Sequence, residues 1–180
     1  MVYMFLANGC EEGEALCPLD LLRRAGVSVT TGAIGGNDTV IGSHGIAVQA
    51  DMPEALYRDA KPEMIILPGG MPGSENLDNS RVVDAALRAA ARNDAYLCAI
   101  CAAPMVLGKR GYLQGKRAVC YPGFEEYLEG AVVTDARVEC DAKVITSKGM
   151  GAALEFGLAL VEVLCGKEKA EQIAGAVFAK

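Results

Sequence analysis

The sequence predicts an α/β domain in which a mostly parallel sheet carries helices on both faces. Three observations lead there. Short apolar runs alternate with amphipathic stretches along the whole chain. Two of those runs, Met64-Ile-Ile-Leu67 and Tyr96-Leu-Cys-Ala-Ile100, are almost unbroken in apolarity, as strands covered on both faces are. The length, 180 residues, is close to that of one domain, so a single domain over residues 1–180 with a single site is expected.

The elements follow in order. Val2 to Ala7 reads as a buried first strand, and residues 16–25 as a helix that Gly26 stops, with Arg23 and Arg24 near the negative end of its dipole. Residues 27–31 read as the second strand. Gly35-Gly-Asn-Asp38 looks like a turn, and Val40-Ile41 with Ile46-Ala-Val48 suit a hairpin appended to the main sheet. Strands at 64–67, 96–100, 118–120 and 144–146 then alternate with helices at 82–92 and 102–109, and two helices close the chain at 151–165 and 167–178. Leu154, Leu158, Val161 and Cys165 give the first of these an apolar stripe.

Composition narrows the function. With 52% hydrophobic and 22% charged residues the chain is no disordered polymer, and 17 Lys+Arg against 23 Asp+Glu leave a net charge of −6 that repels phosphate backbones, so nucleic acid is not an expected partner. The apolar start lacks a basic leader and runs at once into Glu11, Glu12 and Glu14, unlike a signal peptide. No stretch reaches the ~20 uncharged residues of a membrane helix, since Glu155 and Glu162 interrupt the best candidate. A cytoplasmic protein without a membrane partner is expected, its seven cysteines reduced. Cys98-Ala-Ile-Cys101 has ligand-like spacing, but His44 is the one histidine and no second close cysteine pair exists, so a zinc site is not expected. A dithiol enzyme is a lesser alternative, because Cys98 lies inside an apolar run.

Ligands of open α/β sheets sit beyond the carboxyl ends of the strands. Three strand-to-helix turns there are unusual: residues 8–14, Pro68-Gly-Gly-Met-Pro-Gly73 and Cys101-Ala-Ala-Pro104. The last has the pattern of a nucleophile elbow, with small Ala99 and Ala103 two residues either side of Cys101 where bulk would obstruct a sharp strand–helix turn. A helix N-terminus would favour a thiolate, and the Ala102 amide would meet an oxyanion. Gly70 is a candidate second donor, although most Gly pairs only make turns. Glu14, buried beside the sulfur, would stay protonated and shuttle protons; Glu11 and Glu12 read better as exposed glutamates assisting a helix dipole. Gly149-Met-Gly151 matches no dinucleotide or P-loop fingerprint, so no nucleotide cofactor is implied.

Gly9-Cys-Glu-Glu-Gly-Glu14, Arg23-Arg-Ala-Gly26, Leu67-Pro-Gly-Gly70, Ala99-Ile-Cys-Ala-Ala-Pro104 and Thr146-Ser-Lys-Gly-Met-Gly151 together resemble the ThiJ/PfpI superfamily, and within it the DJ-one branch of the parkinsonism-associated protein deglycase. The resemblance runs from the first strand to the last helix. It implies a flavodoxin-like sandwich and a homodimer, with Cys101 as the reactive cysteine, Glu14 as the protonated acid, and Gly70 and Ala102 as oxyanion donors. It also implies that Arg24 and His44 lie near the pocket mouth at the dimer interface, where a cation could hold a carbonyl or anionic substrate. Tyr121 falls where many relatives have histidine, and a phenol with a pKa near 10 is a poor base, which weakens a protease reading. Cofactor-free glyoxalase or deglycase chemistry on small dicarbonyls such as methylglyoxal is therefore expected. The alternative is a redox sensor or protective chaperone whose Cys101 is oxidised without turnover.

Overall fold

The computed structural model describes residues 1–179. The strands are β1 (Val2–Ala7), β2 (Val29–Ile34), β3 (Thr39–Ile41), β4 (Ala47–Gln49), β5 (Met52–Pro53), β6 (Met64–Leu67), β7 (Tyr96–Ile100), β8 (Arg117–Ala118), β9 (Val132–Val133), β10 (Val138–Asp141) and β11 (Val144–Ser147). The helices are α1 (Glu12–Arg24), α2 (Gly73–Asp78), α3 (Arg81–Arg92), α4 (Pro104–Gly108), α5 (Ala153–Cys165) and α6 (Lys167–Ala176). Seven strands form the central sheet in the order β10-β11-β7-β6-β1-β2-β5, with every neighbouring pair parallel except β10–β11. This is the mostly parallel α/β sheet expected.

Both faces are covered, which is why the strands read as continuous apolar runs. Along β1, Val2, Met4 and Leu6 join Leu22, Phe156 and Leu160 of α1 and α5, while Phe5 and Ala7 face the core built with Val83 and Leu87 of α3 and Val106 of α4. Each large side chain buried this way contributes about 1.5–3 kcal/mol. Helix α1 crosses α5 closely. A Cβ on Gly157 would come within 2.6 Å of Leu21 Cδ1 and 2.9 Å of Pro18 Cα, so only glycine admits the crossing. Pro18 stands inside α1 rather than at its start, where its missing N–H interrupts the helix ladder.

The expected boundaries shift for local reasons. Helix α1 starts four residues early because Glu11 caps it, its carboxylate accepting from the Glu14 amide at 2.6 Å. The strand expected at 27–31 begins only at Val29, since the Val27 amide is used to close α1 on Leu22 O. Of the strand expected at 118–120, only Ala118 is β, in a two-residue strand Arg117–Ala118 paired with β9 outside the main sheet; the Val119 amide turns to Thr146 Oγ1. The helix expected at 102–109 shrinks to Pro104–Gly108. β10 and α2 carry too few apolar residues to announce themselves.

The β3–β4 hairpin forms as expected and folds over the loop after β1. Gly9 N donates to Ile41 O, Ile41 N to Asn8 Oδ1 and Ser43 N to Cys10 O, at 2.7–2.8 Å. Among the described residues no helix is long and apolar enough to cross a membrane.

Candidate active site

Cys101 follows β7 directly and has φ +65°, a left-handed backbone that a residue with a Cβ seldom adopts. The strained turn is held from both sides. Cys101 N donates to Ser147 O at 2.9 Å on β11, and Cys101 O accepts from Tyr121 N at 2.8 Å. Ala99 and Ala103 beside it are wholly buried, where larger side chains would find no room. The elbow passes through a turn before α4 begins at Pro104, and that helix is only five residues long. Its dipole therefore adds little, and individual amides must supply the positive potential that a longer helix was expected to give.

Two of them do. The backbone amides of Gly70 and Ala102 both act on the Cys101 sulfur, and each favours the thiolate. Gly70 reaches it because the 69–70 turn is wedged between the other two loops. A Cβ on Gly69 would lie 2.4 Å from Glu14 Oε2 and 2.5 Å from Cys101 Cβ; one on Gly70, at φ +86°, would strike Glu11 N. This pair does more than turn the chain: it lets three loops touch.

Glu14 completes the cluster. It is buried and accepts from Gly69 N at 3.1 Å, and the Met150 amide and the Cys101 thiol both favour its ionised form. Burial, reinforced by the charge of Glu11, pushes its carboxyl up to about 7. Burial and the negative charge of an ionised Glu14 push the Cys101 thiol up to about 12, against the pull of the two amides. The elbow alone therefore does not provide the ionised sulfur expected of it. With the proton on Glu14 the opposing charge disappears and the carboxyl becomes a donor to sulfur, so the two groups titrate as a pair that shares one proton.

The other expected site residues lie apart from the sulfur. Arg24 is exposed on the last turn of α1 and paired with Asp20 at 2.5 Å, ten residues and about 15 Å of helix beyond Glu14. His44 sits at the hairpin tip, where Nδ1 meets Glu12 Oε2 at 2.8 Å. Glu12 corrects the sequence reading. Instead of an exposed helix-start glutamate it is 3% exposed, and Oε1 accepts from the amides of His44 and Ile46 at 2.9 and 3.3 Å. Burial opposes its charge, but the bond to His44 and these amides win and hold it at about 2; the same partner raises His44. Glu11, Glu12 and His44 are also the described residues whose donor atoms lie close enough together to hold a metal ion, but the Glu12 oxygens are already committed to the hairpin.

Sequence reasoning gave no site role to Gly69, which it left in a turn, to Glu12, which it read as exposed, or to Gly149, which it tested only as a nucleotide fingerprint. The last flanks Glu14, since its Cβ would lie 3.8 Å from Glu14 Oε1 and 3.4 Å from the Tyr121 ring. It belongs to a groove of about 410 Å³ beside the site, shared with Tyr121, Pro122, Lys148 and Met150. A larger cavity, of about 610 Å³, opens elsewhere, between the end of β2 and the start of α3 at Ser80, and takes in none of these groups.

Comparison with known proteins finds relatives over most of the chain. A model of the DJ-1/PfpI family matches residues 1–163. The chain is 40% identical over 94% of its length to Protein DJ-1 homolog B of Arabidopsis thaliana, of which it spans only 39%. It is 32% identical to Glutathione-independent glyoxalase DJR-1.2 of Caenorhabditis elegans, covering 91% of this chain and 87% of that one. The solved structure of oxidised DJ-1 from Toxoplasma gondii superposes with a TM-score of 0.94 at 36% identity, over 98% of this chain and 97% of its own.

Proposed function

The chain belongs to the DJ-1/PfpI family, and from that membership and the paired Cys101 and Glu14 we propose that it is a cysteine-dependent, cofactor-free enzyme acting on small reactive dicarbonyls, of glyoxalase or deglycase type. The observation that carries this reading is the buried Glu14 carboxyl, raised to about 7 and bonded to a sulfur that two backbone amides also face. In the form that reacts, the proton sits on Glu14 and the sulfur is a thiolate. The sulfur adds to the aldehyde carbon of methylglyoxal, and the oxyanion formed takes the amides of Gly70 and Ala102. Glu14, having given its proton to that oxygen, removes the hydrogen from the former aldehyde carbon and returns one to the neighbouring carbon through an enediol. The aldehyde carbon is thereby oxidised to a thioester while the ketone is reduced to an alcohol. Water releases lactate and regenerates the thiol, with no outside oxidant or reductant. The C. elegans relative, named a glutathione-independent glyoxalase, supports this choice of reaction.

The reading includes a homodimer, in which exposed Arg24 and His44 supply cations at the pocket mouth; Leu16, Ile41, Ile46 and Met150 leave an apolar surface exposed for such a contact. It places the protein in the cytosol, where the seven free thiols stay reduced. The test is lactate formation from methylglyoxal: Cys101→Ser and Glu14→Gln should each abolish it with the fold intact by circular dichroism, and normal turnover in either variant refutes the reading.

A second reading is favoured by the Toxoplasma neighbour, whose structure is of an oxidised protein, and by the partial exposure of Cys101. In it Cys101 is a sensor oxidised to the sulfenic or sulfinic acid, serving a protective role without turnover. Peroxide titration followed by intact mass measurement separates the two. Addition of two oxygen atoms at Cys101 in a protein that makes no lactate selects the sensor.

A further inference from the structure

We propose that the cavity between the end of β2 and the start of α3 binds a small zwitterion of dipeptide size, with its ammonium at Glu54 and its carboxylate at Arg81. The cavity holds about 610 Å³, within the ~300–1,000 Å³ of small-molecule sites. It opens beyond the carboxyl ends of β1 and β2, at Asn8 and Gly35, where open parallel sheets place their ligands. Ile34 on its wall packs in one core with Val83 and Leu87 of α3. The cavity is therefore on the opposite face of the sheet from α1 and α5, away from Leu16 and Met150 of the proposed homodimer contact. The inference is independent of the reading of Cys101.

Unlike charges that line one cavity without pairing specify the ligand. Glu54 is held in place, since Oε1 accepts from Gly35 N at 3.1 Å and Oε2 from Ser80 Oγ at 3.4 Å. These bonds use two of the roughly four acceptor positions of a carboxylate. Arg88 and Arg110 both close on Asp84. Arg81, the exposed first residue of α3, lines the cavity with Glu54, yet its guanidinium meets no acid among the described residues. The tether of Glu54 keeps the two apart. A simple ion would satisfy one charge and oppose the other, whereas an ammonium and a carboxylate on one molecule answer both. The other open polar groups are carboxamides. Asn76 Nδ2 donates to Asn8 O and Asn8 Oδ1 accepts from Ile41 N, each at 2.8 Å. Among the described residues this leaves Asn76 Oδ1, Asn8 Nδ2 and the whole Asn79 side-chain amide to meet the N–H and C=O of a peptide bond. That count favours a dipeptide over a single amino acid.

The experiment titrates the whole isotope-labelled protein with L-alanyl-L-alanine, with its N-acetylated form and with its C-terminal amide, and follows the backbone amide resonances. Saturable shifts are expected at Gly35, Asn79 and Ser80, and they should persist in Cys101→Ser. Blocking either terminus should weaken binding about tenfold, equivalent to about 1.4 kcal/mol. Arg81→Gln should weaken the free dipeptide to the same degree and leave the affinity of the C-terminal amide unaltered. Glu54→Gln, which keeps an acceptor for Gly35 N, should weaken the free dipeptide and leave the N-acetylated form as it was. No saturable shift at these residues, equal or tighter binding of a blocked form, or full affinity in either variant overturns the proposal. Shifts gathered instead at Gly70, Cys101 and Ala102 put the dipeptide in the active site and overturn it as well. Since binding is read without turnover, the cavity and the dicarbonyl reading stand or fall separately.

Discussion

Glu12 and Glu14 stand two residues apart on the first turn of one helix, and both are buried, yet their acidities move in opposite directions, to about 2 and about 7. Burial opposes the charge of each. What separates them is the surroundings that burial provides. Glu12 is wrapped by the hairpin tip, which offers two amides, a hydroxyl and the His44 imidazole. Glu14 is offered two amides and a thiol, with the charge of Glu11 nearby. A carboxylate given enough donors is a structural anion; one given fewer, beside another acid, is still about half protonated at neutral pH and can pass its proton on.

The contrast can be broken at either end. The largest effect is expected in catalysis. Glu14→Gln should lower dicarbonyl turnover by about 10²–10⁴-fold, the usual worth of a general acid–base group, whereas Glu12→Gln should cost less than about tenfold; equal losses would mean that the two acids are not functionally distinct. Next comes stability against pH. Glu14 has a folded pKa above its ordinary 4.5, so the folded state holds more protons than the unfolded chain between pH 4.5 and 7, and stability falls as pH rises through that window. The loss amounts to about 3 kcal/mol at most. Glu14→Gln should remove it and make the protein more stable than wild type at pH 8 in urea melts.

Glu12 has the opposite sign: its contribution is complete above pH 4.5 and lost as pH falls toward 2. Glu12→Ala, which orphans the amides of His44 and Ile46, should destabilise by about 1–3 kcal/mol at pH 7, with hydrogen exchange rising first in the 42–46 loop. The smallest effect is that of His44→Ala. It should shift the acid limb of the stability curve to higher pH and leave the alkaline limb alone, because His44 touches one glutamate of the two and is itself exposed.

How far the sequence disclosed these two residues follows from what each depends on. The strands at 2–7, 64–67 and 96–100 were legible because burial on both faces leaves an unbroken apolar run. The elbow was legible because its requirement for small neighbours is local, and Glu14 because its loop follows the first strand. Glu12 was not, since its burial is created by a hairpin thirty residues downstream, and no spacing along the chain announces a contact of that kind. Gly69 and Gly149 were hidden for a related reason. A glycine that makes a turn and one that makes room for a distant carboxylate are the same letter. The failure to foresee a raised thiol pKa is of another sort: the sequence suggested a helix dipole at Cys101, and the three-loop packing left only a short helix after a turn.

The close crossing of α1 and α5 at Gly157 extends the reach of the site beyond its lining. Helix α1 is the beam on which Glu14 rides, and Gly157 is the notch in which the beam rests. A methyl group added there would have to lift α1 or tilt it, and the carboxyl would ride along, away from Gly69 and the sulfur. Reactivity at Cys101 is thus tuned in part by a position that never meets a substrate, and directed evolution confined to the pocket walls would leave that adjustment untouched.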